Sequence, residues 1–122
     1  MKTIEVGTHV TDSGGRTYTF AGPREDGRSG SRVTYKLGAH SEAAEIQTDP
    51  RTVIPTAEMP NDLPLKDARI EVANDKAGRP GAWAGSWRAQ TPGDTAPHWH
   101  KTKRDAVESA ARRLVIQDWW NG

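Results

Sequence analysis

Two histidines separated by one residue, His98 and His100, are the side chains whose type and spacing most directly suggest chemistry. In an extended strand, residues two apart share a face, so we expect both imidazoles to point the same way. Two imidazoles could begin a zinc site, but a catalytic zinc needs three protein ligands, and Asp94 in a flexible turn is a weak third candidate. We therefore predict no metal and no cofactor.

The other common catalytic arrangements are also missing from the sequence. The chain has no cysteine, which excludes disulfides, thiolate zinc sites, iron–sulfur clusters and cysteine nucleophiles. Neither a G-x-x-x-x-G-K-[ST] pattern nor a G-x-G-x-x-G after a strand is present. We predict that the protein is not an enzyme and that it has no catalytic residue.

Polar side chains around the histidine pair favour a binding role. Period-2 alternation predicts that one face of a sheet carries Arg69, Glu71, Ser86, Arg88, Gln90, His98 and His100, while the other packs Ile70, Val72, Trp83, Trp87, Ala89 and Trp99 inward. Arginine can bridge O6 and N7 of guanine, and glutamine can pair with adenine. Lys101, Lys103 and Arg104 follow at a predicted helix start, which suits a phosphate. Any half-exposed antiparallel sheet also has a polar face, so this pattern leaves a purely structural role open.

Three short strands and a helix must position these residues. Alternation indicates strands over 68–74, over 83–89 and over 98–100, with turn residues between them at 75–81 and 92–94. Thr102 is a predicted N-cap, with Asp105 three residues later as a weak capping box. Helical spacing then continues through an alanine-rich stripe to Gly122, with Glu108 and Arg112 as an i,i+4 pair.

The N-terminal half has a different pattern. Strands are predicted around Ile4–Val10, around Tyr18 and Phe20, over Val33–Leu37, around Ala44 and Ile46, and at Val53 and Ile54, with an exposed loop over 23–31. This layout resembles an SH3-like barrel over about 50 residues. We therefore predict an α+β protein, with a small SH3-like five-stranded barrel at residues 1–54 and a three-stranded antiparallel sheet with one C-terminal helix at residues 65–122. Three prolines within residues 55–64 mark a joint between them.

The C-terminal half resembles two families of three-stranded-sheet-plus-helix DNA-binding domains. The matching segments are AWAGSWRAQ at residues 82–90 and KTKRDAVESAARRL at residues 101–114. They are similar to the AP2-type domains and to the arm-type N-terminal domains of phage and transposon tyrosine integrases. Asp105 stands where those families commonly have glutamate, and Trp99 lies upstream of the usual aromatic position. The resemblance implies that the sheet face opposite the helix enters the major groove of DNA, and it suggests a phage or mobile-element origin.

Charge is balanced overall but not along the chain. The 17 basic and 16 acidic residues give a net charge of +1, whereas residues 79–113 hold 7 basic and 3 acidic residues. Nucleic-acid binding would therefore use a local patch, and we expect DNA rather than RNA. The predicted binding set is Arg69, Arg88, Gln90, His98, His100, Lys101, Lys103 and Arg104.

A protein–protein module is the alternative function. Trp119 and Trp120 are adjacent on the predicted helix and point about 100° apart, so they cannot both face one small core. At least one is expected to be exposed, or covered by the barrel, by a second copy or by a protein partner. No apolar run approaches the roughly 18 residues of a membrane span, and no signal-peptide pattern occurs, so a cytoplasmic location without membrane association is expected.

Overall fold

The computed structural model describes residues 3–23, 33–37, 45–48 and 50–122. Two antiparallel sheets are followed by one C-terminal helix, which confirms the predicted α+β class. The strands are β1 (His9–Asp12), β2 (Thr17–Pro23), β3 (Val33–Leu37), β4 (Glu45–Thr48), β5 (Val53–Pro55), β6 (Glu71–Asn74), β7 (Trp87–Gln90) and β8 (Trp99–His100), and the helix is α1 (Lys103–Asn121). Most of the predicted loop over 23–31, and Ala44, lie outside the described residues.

The first sheet has the strand order β4-β3-β2-β1-β5. All five predicted strands occur, but β1 starts at His9, so the predicted strand positions Ile4 and Val6 lie before it and Val6 is 68% exposed. Among the described residues β4 and β5 do not pair, so the sheet is open there. The register shifts between Phe20 and Gly22, and Gly22 has φ +107°, which glycine adopts without the steric cost of a side chain.

One carboxylate organises the turn between β1 and β2. Oδ1 of Asp12 accepts hydrogen bonds from the backbone N–H of Gly14 (3.0 Å) and of Arg16 (2.9 Å). The hydroxyl of Tyr18 donates to Oδ2 of Asp12 at 3.0 Å, and burial raises the pKa of that phenol, with the Asp12 hydrogen bond acting in the same direction. The side chain of Asp12 thus accepts the hydrogen bonds of two backbone N–H groups in the turn, a common role of aspartate in turns.

Large apolar side chains form the core of the first sheet. Val10, Tyr18, Phe20 and Val53 pack together, with Ile4 against them. Ile54 is also fully buried. Fully burying one such side chain stabilises the fold by about 1.5–3 kcal/mol, so this part of the chain is held by hydrophobic burial.

Helix α1 begins where the sequence predicts. The side chain of Thr102 accepts a hydrogen bond from the backbone N–H of Asp105 at 3.1 Å, which confirms the N-cap. Glu108 pairs with Arg104 at 2.9 Å and, more loosely, with the predicted partner Arg112 at 3.9 Å. The buried stripe consists of Ala106, Ser109, Ala110, Ala111, Arg113, Leu114 and Ile116.

The second sheet has the order β6-β7-β8 and packs on this helix. Ala89 at the centre of β7 is fully buried against Ala106 and Ala110, with Ile70 and Trp87 at the edge of the cluster. Three alanines in contact allow the strand and helix to approach closely while burying little apolar surface. This core is therefore weaker per residue than that of the first sheet.

Helix α1 also contacts the first sheet. Nε1–H of Trp120 donates to the carbonyl of Val53 at 2.9 Å, and a guanidinium N–H of Arg112 reaches the carbonyl of Ser13 at 3.4 Å. The two predicted units are thus connected through the helix, while the division of the chain at residues 55–64 stays a prediction. No helix in the described ranges combines the length and apolarity that a membrane span requires.

Candidate functional site

The burial of Ala89 shows which face of the second sheet is turned away from the helix. Because Ala89 points into the helix core, its neighbours Arg88 and Gln90 on β7 point the opposite way. Residues paired directly across an antiparallel ladder share a face, and Arg88 is opposite Ala73 and Trp99. We name this surface the outward face; it comprises Glu71, Ala73, Arg88, Gln90 and Trp99.

The predicted orientation of β8 is wrong. His100 is paired with Trp87, whose side chain packs towards the helix, so His100 and, two residues earlier, His98 lie on the helix side. Trp99, predicted to be core, lies instead on the outward face with Arg88. The two histidines share a face as expected, but it is the opposite face.

A buried ion pair next to the histidines explains this orientation. Arg113 donates from Nε to Oδ1 of Asp94 at 2.9 Å, and the two side chains are 8% and 6% exposed. This polar neighbourhood suits imidazoles better than an indole. Burial lowers the pKa of both His98 and His100 below 6.5, and the nearby Arg113 charge acts in the same direction.

Arg113 is the residue that sequence reasoning missed. Beyond Asp94, its guanidinium donates to the Ser109 hydroxyl at 2.6 Å and to the carbonyl of Ala89. Asp94 also accepts from the backbone N–H and the hydroxyl of Thr91, at 2.9 and 3.0 Å. The Asp94 carboxylate thus accepts three hydrogen bonds within the fold. Among the described residues, no group of three or more metal-ligating side chains comes together.

Arg88 is the central cation of the outward face. Its guanidinium carbon lies 5.1 Å from the centroid of the Trp99 ring, a cation–π arrangement. Its Nη2 donates to Oδ2 of Asp75 at 3.3 Å, and Asp75 also accepts from the backbone N–H of Gly78. Nε of Arg88 is buried with no hydrogen-bond partner in the described part of the chain. The charge of Arg88 is thus held in place and partly balanced.

Arg69 lines a cavity together with Glu71 and Gln90 of the outward face, but its charge is paired within the fold. It donates to Asp67 and to both carboxylate oxygens of Asp118 near the end of α1, all at 3.0 Å. The Arg69 hydrogen bonds lower the pKa of Asp67 to about 2, and the two carboxylates raise the pKa of Arg69. With two carboxylates against one guanidinium, this cluster is net negative and does not suit a phosphate.

The predicted basic residues at the helix start lie beyond the end of β8. Lys101, Lys103 and Arg104 are all exposed, and Arg104 is paired with Glu108, which raises its pKa. Because β8 runs antiparallel to β7 and His100 is opposite Trp87, Lys101 follows at the Trp87 end of the strand pair. The structure therefore places Arg88, Trp99 and Lys101 near one end of the outward face, with Gln90 at the other.

Trp83 was predicted to be core and is instead 76% exposed. It lies in a turn before β7, closed by the backbone N–H of Ala84 donating to the carbonyl of Gly81 at 3.0 Å. Strand β7 begins only at Trp87, so the alternation does not extend back to Trp83. Gly85 between them abuts β8 so closely that a Cβ there would overlap the carbonyl of His100. Only glycine, which has no side chain, fits at this close approach of the two backbones.

The two C-terminal tryptophans are both half-buried. Their rings meet edge to face, with centroids 4.9 Å apart and an interplanar angle of 89°. Trp120 bonds to Val53 of β5, so the first sheet covers it, which is one of the arrangements that the sequence left open. In comparisons with protein-family models, with curated proteins and with solved structures, this chain has no significant match.

Proposed function

We propose that this protein binds nucleic acid, DNA in preference to RNA, in a non-enzymatic role through the outward face and the adjoining helix start. The observation that carries the proposal is the placement of Arg88 and Gln90 on one strand face opposite the helix, with Lys101 and Lys103 exposed beside it. Arginine and glutamine are the side chains best suited to purine edges in a major groove.

The proposed contacts are of two kinds: contacts to phosphates, which position the protein on the duplex, and contacts to base edges, which recognise the sequence. Lys101 and Lys103 at the start of α1 would hold phosphates, which positions the protein without reading sequence. Arg88, whose guanidinium carbon lies 5.1 Å from the centre of the Trp99 ring, would present its guanidinium fork to guanine. Gln90 would contact an adenine on the same groove floor.

A salt-titrated binding assay tests this proposal. Fluorescence anisotropy with a mixed-sequence duplex should show affinity that falls as salt increases, because bound cations release counterions. Arg88→Ala should weaken binding to a preferred duplex by roughly 5- to 150-fold, which corresponds to about 1–3 kcal/mol for one base contact. The charge-matched control is Lys66→Ala, an exposed lysine outside this surface, which should change affinity little. Salt-independent binding, or equal losses in both variants, would contradict the proposal.

A substitution at Asp75 should change duplex affinity in the opposite direction, towards tighter binding. Asp75→Asn keeps an oxygen to accept from the Gly78 N–H while removing the negative charge beside Arg88. We expect tighter duplex binding, by a few-fold, because an exposed pair of this kind contributes about 1 kcal/mol or less. Weaker binding in the same anisotropy assay would show that Asp75 serves Arg88 in some other way.

We further propose that the first sheet closes into the predicted SH3-like barrel. The support is its strand order, β4-β3-β2-β1-β5, together with the short 3-10 turn Pro50–Thr52 directly before β5. Nuclear Overhauser contacts between β4 and β5 would test closure. Their absence in the folded protein would leave the sheet open.

A protein partner, or a second copy of the chain, remains the second candidate. It is favoured by Trp119 and Trp120 near the end of α1, whose rings pack edge to face and stay partly exposed. Sedimentation over a range of concentrations tests self-association. A mass that stays monomeric throughout would argue against a dimer.

A further inference from the structure

Trp83 presents an indole to solvent where a tryptophan is ordinarily buried. Its side chain is 76% exposed in the turn before β7. The Nε1 edge of the ring lies close to Gly81, where an added Cβ would come within 2.5 Å of it. An exposed indole offers a broad aromatic face on which a planar ring can stack.

Trp83 forms one side of a cleft of about 440 Å³ that also includes Trp99. The cleft lining includes Pro80, Trp83, Pro97, His98, Trp99 and Lys101. Its volume falls in the range of small-ligand sites, about 300–1,000 Å³. The cleft thus brings two indoles and two proline rings together, which gives a planar ring apolar faces to contact.

The charges of the cleft favour an anionic ligand. Its described lining contains one ammonium, from Lys101, and no carboxylate. The imidazoles of His98 and His100 also line the cleft, but burial lowers the pKa of both, so Lys101 supplies its positive charge at neutral pH. A neutral proline-rich peptide would use the rings but not this positive charge.

We infer that this cleft binds an unpaired nucleobase, stacked on Trp83, with the adjoining phosphate held by Lys101. A base within a duplex has both faces covered by its neighbours, so only a flipped or single-stranded base can use the indole. This inference rests on the proposed nucleic-acid function and adds to it a second class of contact, made by the Trp83 turn beside the Trp99 end of the outward face.

Binding measurements with two probes test the inference. The probes are a short oligothymidylate and a mixed-sequence duplex, each measured by anisotropy with the full-length protein. Trp83→Ala should weaken oligothymidylate binding by roughly 5- to 150-fold, the range for loss of one stacked base. Duplex affinity should stay within about twofold, since a paired base does not reach the ring. Trp83→Phe should restore most of the lost affinity, because phenylalanine keeps an aromatic face.

Controls separate this inference from the proposed function. Trp83 is exposed, so the variant should keep the wild-type melting temperature, and Val6→Ala provides a matched loss of an exposed apolar side chain elsewhere. If duplex binding depends on Arg88 while Trp83→Ala leaves oligothymidylate binding unchanged, the inference alone fails. If neither nucleic acid binds, the proposed function fails as well. Binding of a polyproline peptide that is lost in Trp83→Ala, without oligothymidylate binding, would also overturn the inference in favour of a peptide.

Discussion

The two sheets of this protein are stabilised in different ways. The first sheet buries large apolar side chains, including Val10, Val53 and Ile54, each at most 1% exposed. The second sheet packs alanine on alanine and depends on the buried pair of Arg113 and Asp94 to join β7, the following turn and the helix. The comparison teaches that a small protein with few large apolar residues can hold a sheet against a helix by buried hydrogen bonds rather than by burying large side chains.

The largest expected effect is on the ion pair of the second sheet. Arg113→Ala should lower the free energy of unfolding by about 3–5 kcal/mol, because Asp94 would remain buried and charged without its partner. Denaturant unfolding followed by circular dichroism measures this. Arg104→Ala, which removes an exposed arginine from the same helix, should have a much smaller effect. Equal losses would mean that the buried pair is not what distinguishes the second sheet.

A smaller effect is expected at the contact between the two regions. Trp120→Phe removes the Nε1–H that donates to Val53 and leaves that carbonyl without this partner. We expect a loss of about 1–2 kcal/mol in the free energy of unfolding, measured by the same method. Trp83→Phe, at an exposed position, serves as the control. If Trp120→Phe leaves stability unchanged, the helix does not hold the first sheet through this bond.

The smallest expected effect is a pH dependence of stability, which we expect to arise from the two histidines of the second sheet. Since burial lowers the folded-state pKa of His98 and His100 below 6.5, the unfolded chain binds more protons between the two pKa values. The stability that the two neutral histidines contribute is therefore fully present above pH 6.5 and is lost as the pH falls through their folded-state pKa. The stabilisation that the Asp67 ion pair contributes is present above pH 3.8 and is lost as the pH falls towards about 2, because its pKa is lowered to that value in the folded protein.

Thermal melts across mildly acidic pH measure this dependence. The double variant His98→Gln and His100→Gln should flatten the fall in melting temperature, and His9→Gln, in the first sheet, should not. A wild-type melting temperature that rises as the pH falls below 6.5 would contradict the burial of these imidazoles.

Sequence predicted the elements better than their orientation. The alternation around Tyr18 and Phe20 and the capping residue Thr102 gave β2 and the start of α1, because each depends on local chemistry. The face of β8 could not be predicted in this way, since a strand of two residues has too little alternation to determine which side is buried.

The candidate site was predicted only in part for the same reason. Arg88 and Gln90 lie on the face that alternation along β7 indicates, because Ala89 between them is buried. Arg69 and Arg113 were placed by partners distant in sequence, Asp118 and Asp94, and a single sequence gives no sign of such pairs. Trp83 was misplaced because its hydrophobicity predicts burial, whereas it lies in a turn before β7, which begins only at Trp87.

Chemical-shift mapping on the full-length protein tests the proposed binding surface most directly. Titrating nitrogen-15-labelled protein with a mixed-sequence duplex should shift the amide signals of Arg88, Gln90 and Trp99 and those at the start of α1, while β1 and β5 stay unchanged. Shifts confined to the first sheet, or no shifts at a duplex concentration that saturates the anisotropy signal, would contradict binding through the outward face.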